Sequence, residues 1–147
     1  MPTIEHLLSR KPADRQRVVT ISKNATALEA ARVMNDHHIG ALVVTDDDHT
    51  VAGIFTERDL LTRIVSAQRA PEKTRVADVM TTNVVVCSPE TRCDDVRHIM
   101  REKRIRHIPV TEGRRLMGMI SIGDLNTAEV KVLAETITYL EQFVAPS

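Results

Sequence analysis

The feature that most limits what this chain can fold into is that it says nearly the same thing twice. The segments SKNATALEAARVMNDHHIGALVV, from Ser22 to Val44, and SPETRCDDVRHIMREKRIRHIPV, from Ser88 to Val110, align without a gap, 66 residues apart. Ala30, Val33 and Met34 fall over Val96, Ile99 and Met100. Both trios have the i, i+3, i+4 spacing of a helix with one buried face. A β-branched run precedes each helix, VVTI at 18–21 and VVVC at 84–87. Another follows, ALVV at 41–44 and HIPV at 107–110. Polar turns then lead into a third apolar run, TDDDHT into VAGIF and TEGRR into LMGMI, where the offset has fallen to 65 residues. A turn tip is where a one-residue deletion is best tolerated.

Each repeat therefore reads β-α-β-β-α, and the fold class is mixed α/β (α+β). Leu60, Leu61, Ile64 and Val65 mark the closing helix of the first repeat, and the segment from Leu125 onward closes the second. The expected boundaries are 12–69 for repeat one, 70–128 for repeat two, and 129–147 for a C-terminal helix. The stretch QRAPEKTRVADVM, 68–80, reads as a connector. A unit of about 50–60 residues buries little surface alone. Two copies are therefore expected to pack sheet to sheet, as a pseudo-twofold pair. The Val- and Ile-rich strands alternate little, which agrees with sheets covered on both faces.

Composition excludes several functions. The 147 residues are 42% apolar and 27% charged, an ordinary globular balance. Two Phe, one Tyr and no Trp leave an aliphatic core and no stacking platform for single-stranded nucleic acid. Twenty basic and twenty acidic residues cancel, so no global field draws a polyanion. No apolar run approaches the roughly 18 residues of a membrane span. The start MPTIEHLLSRK lacks the pattern of a secretory signal. With Cys87 and Cys93 at no metal or redox spacing, the expectation is a cytoplasmic protein with buried, reduced thiols. Adjacent His37 and His38 diverge on a helix end, and no Cys or acid completes a metal set. Asp46-Asp47-Asp48 reads as a hairpin turn, since the spacing and distal Glu of a calcium loop are missing.

The stretches that carry chemistry are GIFTERD, 53–59, and GMISIGD, 118–124. Each runs from a strand end into a helix start. Thr56 with Asp59, and Ser121 with Asp124, have capping-box spacing. Asp is shorter than the Glu or Gln such a box favours, so its reach back should be poorer. Gly123, in a first helical turn, costs about 1 kcal/mol relative to Ala, which points to a close approach there. The same geometry serves a ligand. A helix N-terminus favours an anion. A hydroxyl can bond to phosphate or ribose, and a carboxylate can accept both hydroxyls of a ribose diol. Arg58 lies inside the first motif, where it reads equally as a surface charge; Ile122 and Gly123 replace Glu57 and Arg58 in the second. The two sites should therefore differ, with Thr56, Arg58 and Asp59 taking the more anionic group. Arg101 and Lys103 suit a helix C-terminus, whereas Arg106 and His107 open a strand.

This organisation resembles the tandem cystathionine-β-synthase (CBS) domain pair, or Bateman module, over roughly residues 15–128. GIFTERD and GMISIGD both match the family's motif of glycine, apolar residue, any residue, Thr or Ser, two variable residues and Asp. IRHIPV, 105–110, is similar to its second-strand signature; IGALVV, 39–44, departs, with Val43 for the proline and Gly40 for the basic residue. The resemblance implies a non-catalytic regulatory sensor that binds an adenosine ligand in a cleft between the repeats. AMP leads, with ADP, ATP, NAD or S-adenosylmethionine as alternatives. It implies Asp59 and Asp124 on ribose, and Arg106 and His107 on phosphate from across the cleft. Adenine walls would be Val19, Ile39 and Gly40 at one site, and Met80, Val85 and Ile105 at the other. It further implies a stand-alone homodimer acting on an unknown regulated protein. Val130, Leu133, Ile137, Leu140 and Val144, spaced 3, 4, 3, 4, form a coiled-coil-like seam. That seam packs either on its own domain or on a second copy. The competing reading, a nucleotide-processing enzyme, lacks an activated nucleophile, a metal set or a Walker-type loop.

Overall fold

The computed structural model describes residues 2–12 and 18–144. The beginning of the expected first repeat, at 13–17, and the last three residues of the C-terminal segment lie outside these. Helix α1 (Ile4–Arg10) comes first, then β1 (Thr20–Ser22), α2 (Ala27–His37), β2 (Ala41–Thr45) and β3 (Val51–Thr56). A single turn, α3 (Glu57–Asp59), continues directly as a π-helix, Leu60–Val65. After a 3₁₀ turn (Pro71–Lys73) come α4 (Val76–Val79), α5 (Cys93–Lys103), β4 (His107–Glu112), β5 (Arg115–Ser121) and α6 (Ile122–Glu141). The strands form a three-stranded sheet, β1-β2-β3, and a two-stranded sheet, β4-β5.

The helix stripes fall where the spacing puts them. Ala30 and Met34 are buried in one core, Val96 and Met100 in the other, with Val33 and Ile99 packed beside them. Both helices end on a left-handed residue 66 positions apart, His38 at φ 53° and Arg104 at φ 55°. The hairpin turn is held by Asp46, whose carboxylate accepts the Asp48 and Thr50 amides at 3.0 and 3.1 Å. These bonds, with the Thr50 hydroxyl bond first, hold its pKa below the usual carboxylate value.

Three expectations need correction. The run 84–87 does not form a strand: only Cys87 pairs, parallel to Val110. Cys87 donates to the Pro109 carbonyl at 3.0 Å, and Thr111 donates to the Cys87 carbonyl at 2.8 Å. The next bond of a parallel ladder would run from the N–H of residue 109 to Val85, and proline has no N–H. In the first repeat Val43 stands at that position, and a three-residue pairing survives. The first closing helix is also shorter and more widely wound than the apolar pattern implies. Its π turns bury Ile64 but leave Leu61 and Val65 more than half exposed. Finally, the second closing helix and the C-terminal helix are one continuous element, α6.

The connector is a correction of a different kind. Val76 and Val79, in α4, are fully buried in the core of the first repeat. Ile4 and Leu7, in α1, are buried in the core of the second. The short helix ahead of each repeat thus completes the core of the other one. The backbone contacts repeat with it. Val76 donates to the Ala25 carbonyl at 2.8 Å, and Ile4 donates to Thr91 at 2.9 Å. Thr74 accepts from Ala27 at 2.7 Å, and Pro2 accepts from Cys93 at 3.1 Å. The crossing carbonyls thereby satisfy first-turn amides of α2 and α5, which a helix leaves without internal partners. Burial pushes the Cys87 thiol up to about 11, with Cys93 adding to the shift.

The crossing segments pass directly over the motif glycines. A Cβ on Gly53 would lie 2.7 Å from both the Met80 sulfur and the Thr81 carbonyl oxygen. A Cβ on Gly118 would lie 2.8 Å from the Leu8 Cδ2. Leu8 can turn aside, whereas the Thr81 backbone is paired with Ile54 through bonds of 2.9 and 3.0 Å. Gly53→Ala is therefore expected to destabilise the fold by about 1–3 kcal/mol. Gly118→Ala should stay within about 1 kcal/mol of wild type, since reduced chain entropy offsets a softer clash. Urea denaturation midpoints of the two variants would check the difference.

Candidate functional site

Both motifs sit at a strand-to-helix junction, and both close as full capping boxes. Asp59 donates its amide to the Thr56 hydroxyl at 3.2 Å, and the Thr56 amide reaches the Asp59 carboxylate at 3.0 Å. The matching distances for Ser121 and Asp124 are 3.0 and 2.9 Å. The shorter aspartate does not weaken the reach back. The cap residues are fully extended, with ψ of 166° and 162°, which carries their amides toward the carboxylates.

The surroundings of the two aspartates differ. Asp59 is 5% exposed. The Thr81 hydroxyl, on the crossing segment, donates to its Oδ1 at 3.3 Å, and the Arg63 Nε stands 3.7 Å from the same oxygen. Arg63 also donates to the Val79 and Met80 carbonyls at 3.2 and 2.8 Å, tying the π-helix to the crossing segment. The Asp124 side chain is 21% exposed, against 7% for Asp59. Its Oδ2 accepts from the Lys11 ammonium at 3.2 Å.

The residues named from sequence gather into two corners. Around the first motif, Gly40 accepts the Glu57 amide at 3.0 Å, and Ala41 pairs with Thr56. A Cβ on Gly40 would touch the Glu57 carboxyl at 3.4 Å, so this glycine makes room for Glu57. Val19, Ile39 and Met80 pack together against the first core. Around the second motif, His107 pairs with Ser121, and the Arg106 carbonyl accepts the Ile122 amide at 2.8 Å. Val85, Ile105 and Leu8 pack against the second core, and Leu8 lies over Gly118 as Met80 lies over Gly53. Met80 packs against the same core as Val19 and Ile39, while Val85 and Ile105 pack against the other. Arg58 and Arg106 are exposed, and His107 is half-buried. A cavity of about 430 Å³ opens beside the first motif, lined by Met34, Asn35, His38, Ile39, Glu57 and Leu60. Of the residues named from sequence as ligand contacts, Ile39 alone is among its walls. A Cβ on Gly123 would meet only the Ser121 hydroxyl, at 3.5 Å, so no protein group makes the close approach its position implied.

Sequence reasoning missed Lys11, Thr81 and Arg63. The first two lie on the crossing segments. Arg63 stands four residues after Asp59, and that i, i+4 spacing is the one signal available for it.

His107 is the group on which both corners act. Burial lowers its pKa from the ordinary 6.5. Asp124 and the Glu57 carboxylate from the other motif pull it back up, while Arg106 and Lys11 push it further down. Glu57 belongs to the first motif and acts on His107 from across the two halves. The lowered pKa means that the folded chain binds its proton less readily than the unfolded one. The resulting stability is complete above the unfolded value of 6.5 and is lost as pH falls through the folded one. His107→Gln should therefore flatten the decline in melting temperature between about pH 7 and 5. Parallel thermal melts of wild type and variant across that range would check this.

Two strand-to-helix junctions, each offering a hydroxyl and a carboxylate across a pseudo-twofold pair of repeats, define a paired ligand-binding module. The CBS-domain family profile matches residues 12–66 and 76–131, and the chain belongs to the CBS-domain family. A CBS-domain protein of Burkholderia ambifaria, described as acting in signal transduction, superposes with a TM-score of 0.84 at 37% identity. That match covers 88% of this chain and 94% of the other. A CBS-domain protein of Agrobacterium tumefaciens gives 0.80 at 42% identity, covering 86% and 92%. A mitochondrial CBS domain-containing protein of Arabidopsis thaliana is 37% identical over 123 residues. The aligned part is 81% of this chain and 60% of the plant protein's length. No described helix is long and apolar enough to cross a membrane.

Proposed function

We propose that the chain is a non-catalytic sensor of an adenosine ligand, AMP first among ADP, ATP, NAD and S-adenosylmethionine. The observation that carries this reading is the matched pair of junctions. Each presents a capped hydroxyl and a carboxylate at a helix start, and Arg106 and His107 stand beside the second. Ribose hydroxyls donate to the carboxylate, while the phosphate meets the helix N-terminus and the basic pair. Val19, Ile39 and Gly40 form one apolar wall for adenine, and Met80, Val85 and Ile105 the other. The signal-transduction description of the Burkholderia relative supports a regulatory role. Because Asp59 is covered by Thr81 and Arg63, the Asp124 corner is the more accessible of the two. Calorimetric titration with AMP, ADP, ATP, NAD and S-adenosylmethionine tests the reading. Asp124→Ala should weaken binding of the preferred ligand about tenfold or more, as loss of a charged hydrogen-bond partner does. Absence of binding by every adenosine compound, or indifference to both Asp59→Ala and Asp124→Ala, would sink the reading. Turnover during the titration would turn it toward an enzyme.

The same reading includes a homodimer. Val130, Leu133, Ile137, Leu140 and Val144 are all more than half exposed, as are Tyr139 and Phe143. The seam therefore does not pack on its own domain. A continuous apolar stripe of this length marks an association surface, and its heptad spacing fits a second copy. In sedimentation equilibrium, wild type should be a dimer or larger. Leu133→Glu with Ile137→Glu should shift it to monomer without changing the circular dichroism of the folded domain. A monomeric wild type would refute the assignment.

A further inference from the structure

The chain has two Phe, one Tyr and no Trp. Phe55 is fully buried in the first core. The other two aromatic residues, Tyr139 and Phe143, stand at the outer end of α6, 59% and 71% exposed. Their rings meet edge to face, with centroids 5.0 Å apart. With the half-exposed Val132 they form a second apolar stripe. At about 100° per residue, this stripe lies roughly 120° round the helix from the seam of Val130, Leu133, Ile137, Leu140 and Val144. Thr136 falls on the same line, and its hydroxyl is spent on the Val132 carbonyl at 2.9 Å. The stripe also continues from Leu125, which is buried in the second core. The face that packs on the domain at the start of α6 therefore runs on, uncovered, past the domain.

Together the two stripes make the outer part of α6 apolar over about half its circumference. A two-stranded coil covers only a narrow seam, which would leave Tyr139 and Phe143 in water. The seam is also short: it spans two heptads, against the about three to four over which such pairing is ordinarily sustained. A second buried face on each helix supplies what the seam lacks, and aromatic residues are what interface cores collect. The charges fit the same arrangement. Lys131, Glu135 and Glu141 fall on the remaining arc, and Glu129 is tied to Arg97 at 3.1 Å. A polar side with this acidic balance does not suit an anionic lipid surface, which calls for Lys and Arg there. It does suit a bundle in which each helix buries two faces against two neighbours. We propose that the seam dimers pair again through Val132, Tyr139 and Phe143, so that four copies of this chain assemble around one bundle of C-terminal helices. This second pairing rests on the seam dimer above and goes beyond it, because it gives the aromatic pair a partner that a dimer does not.

Sedimentation equilibrium of the full chain tests it. Wild type should be a tetramer. Tyr139→Lys with Phe143→Lys should stop at the dimer with the thermal melt of the folded domain unchanged, whereas Tyr139→Phe should remain a tetramer. The seam variant, Leu133→Glu with Ile137→Glu, should still be a monomer, since the second stripe is too small to hold a pair by itself. Tyr139 is the chain's one tyrosine and there is no tryptophan, so intrinsic fluorescence reports on this stripe alone. Acrylamide should quench it less in wild type than in Phe143→Lys. A dimeric wild type, or a tetramer that survives both lysines, overturns the second pairing and leaves the seam dimer standing. Tyrosine fluorescence that is shielded only when phosphatidylcholine–phosphatidylserine vesicles are added overturns it too, by giving the stripe to a lipid surface. A monomeric wild type overturns both pairings.

Discussion

Everything else in this molecule depends on the exchange of short helices between the two halves. Neither repeat closes its own core. The first needs Val76 and Val79 from the segment that precedes the second, and the second needs Ile4 and Leu7 from the segment that precedes the first. A unit of this size buries too small a share of its surface to be stable alone. Borrowing a helix from outside the repeat adds apolar burial to each core and makes the two cores interdependent. Opening either core then exposes a segment covalently tied to the other, so the halves are expected to unfold as one cooperative unit.

The exchange also explains why the ligand motif begins with glycine. Met80 and Thr81 pass over Gly53 at distances that leave no room for a methyl group, and Leu8 passes as close over Gly118 but can turn aside. Each motif glycine thus marks a crossing point. Downstream of it, each aspartate carries out two tasks with one carboxylate. One oxygen closes the cap of its helix, and the group also receives a side chain from the crossing segment. The cap therefore does not compete with a binding role. It orients the carboxylate and fixes the helix start, and the crossing residue then sets how accessible and how positively flanked that carboxylate is.

Much of this was legible and some was not, for reasons that lie in particular residues. The helix stripes, the hairpins and the junction position of both motifs follow from periodicity, because amphipathic spacing is a local property. The crossing of α1 escaped because Ile4 and Leu7 precede Val76 and Val79 by 72 residues and not 66. An alignment at the register of the repeats therefore never places them together. The missing strand at 84–87 turns on Pro109, whose effect is felt on a neighbouring segment and not on its own. Leu61 and Val65 looked like core residues because an α-helix was assumed, and the π turns carry them outward. Gly40 was read as space for a ligand, and the structure fills part of that space with Glu57.

The same coupling gives a physical route from binding to signal. A ligand shifts a conformational equilibrium only by as much as it binds one arrangement better than another. On the proposed reading, a diol at Asp124 meets a carboxylate that Lys11, the C-cap of α1, already holds through Oδ2. Lys11 is bonded at once to the motif carboxylate and to the strand beneath it. It thereby ties the motif to the end of a helix whose other side chains fill the second core. The long helix that begins at Ser121 carries the capping box at its start and the exposed seam along its second half. On the proposed reading, binding at its start and association through its seam act on one helix, which gives a ligand a direct path to the assembly.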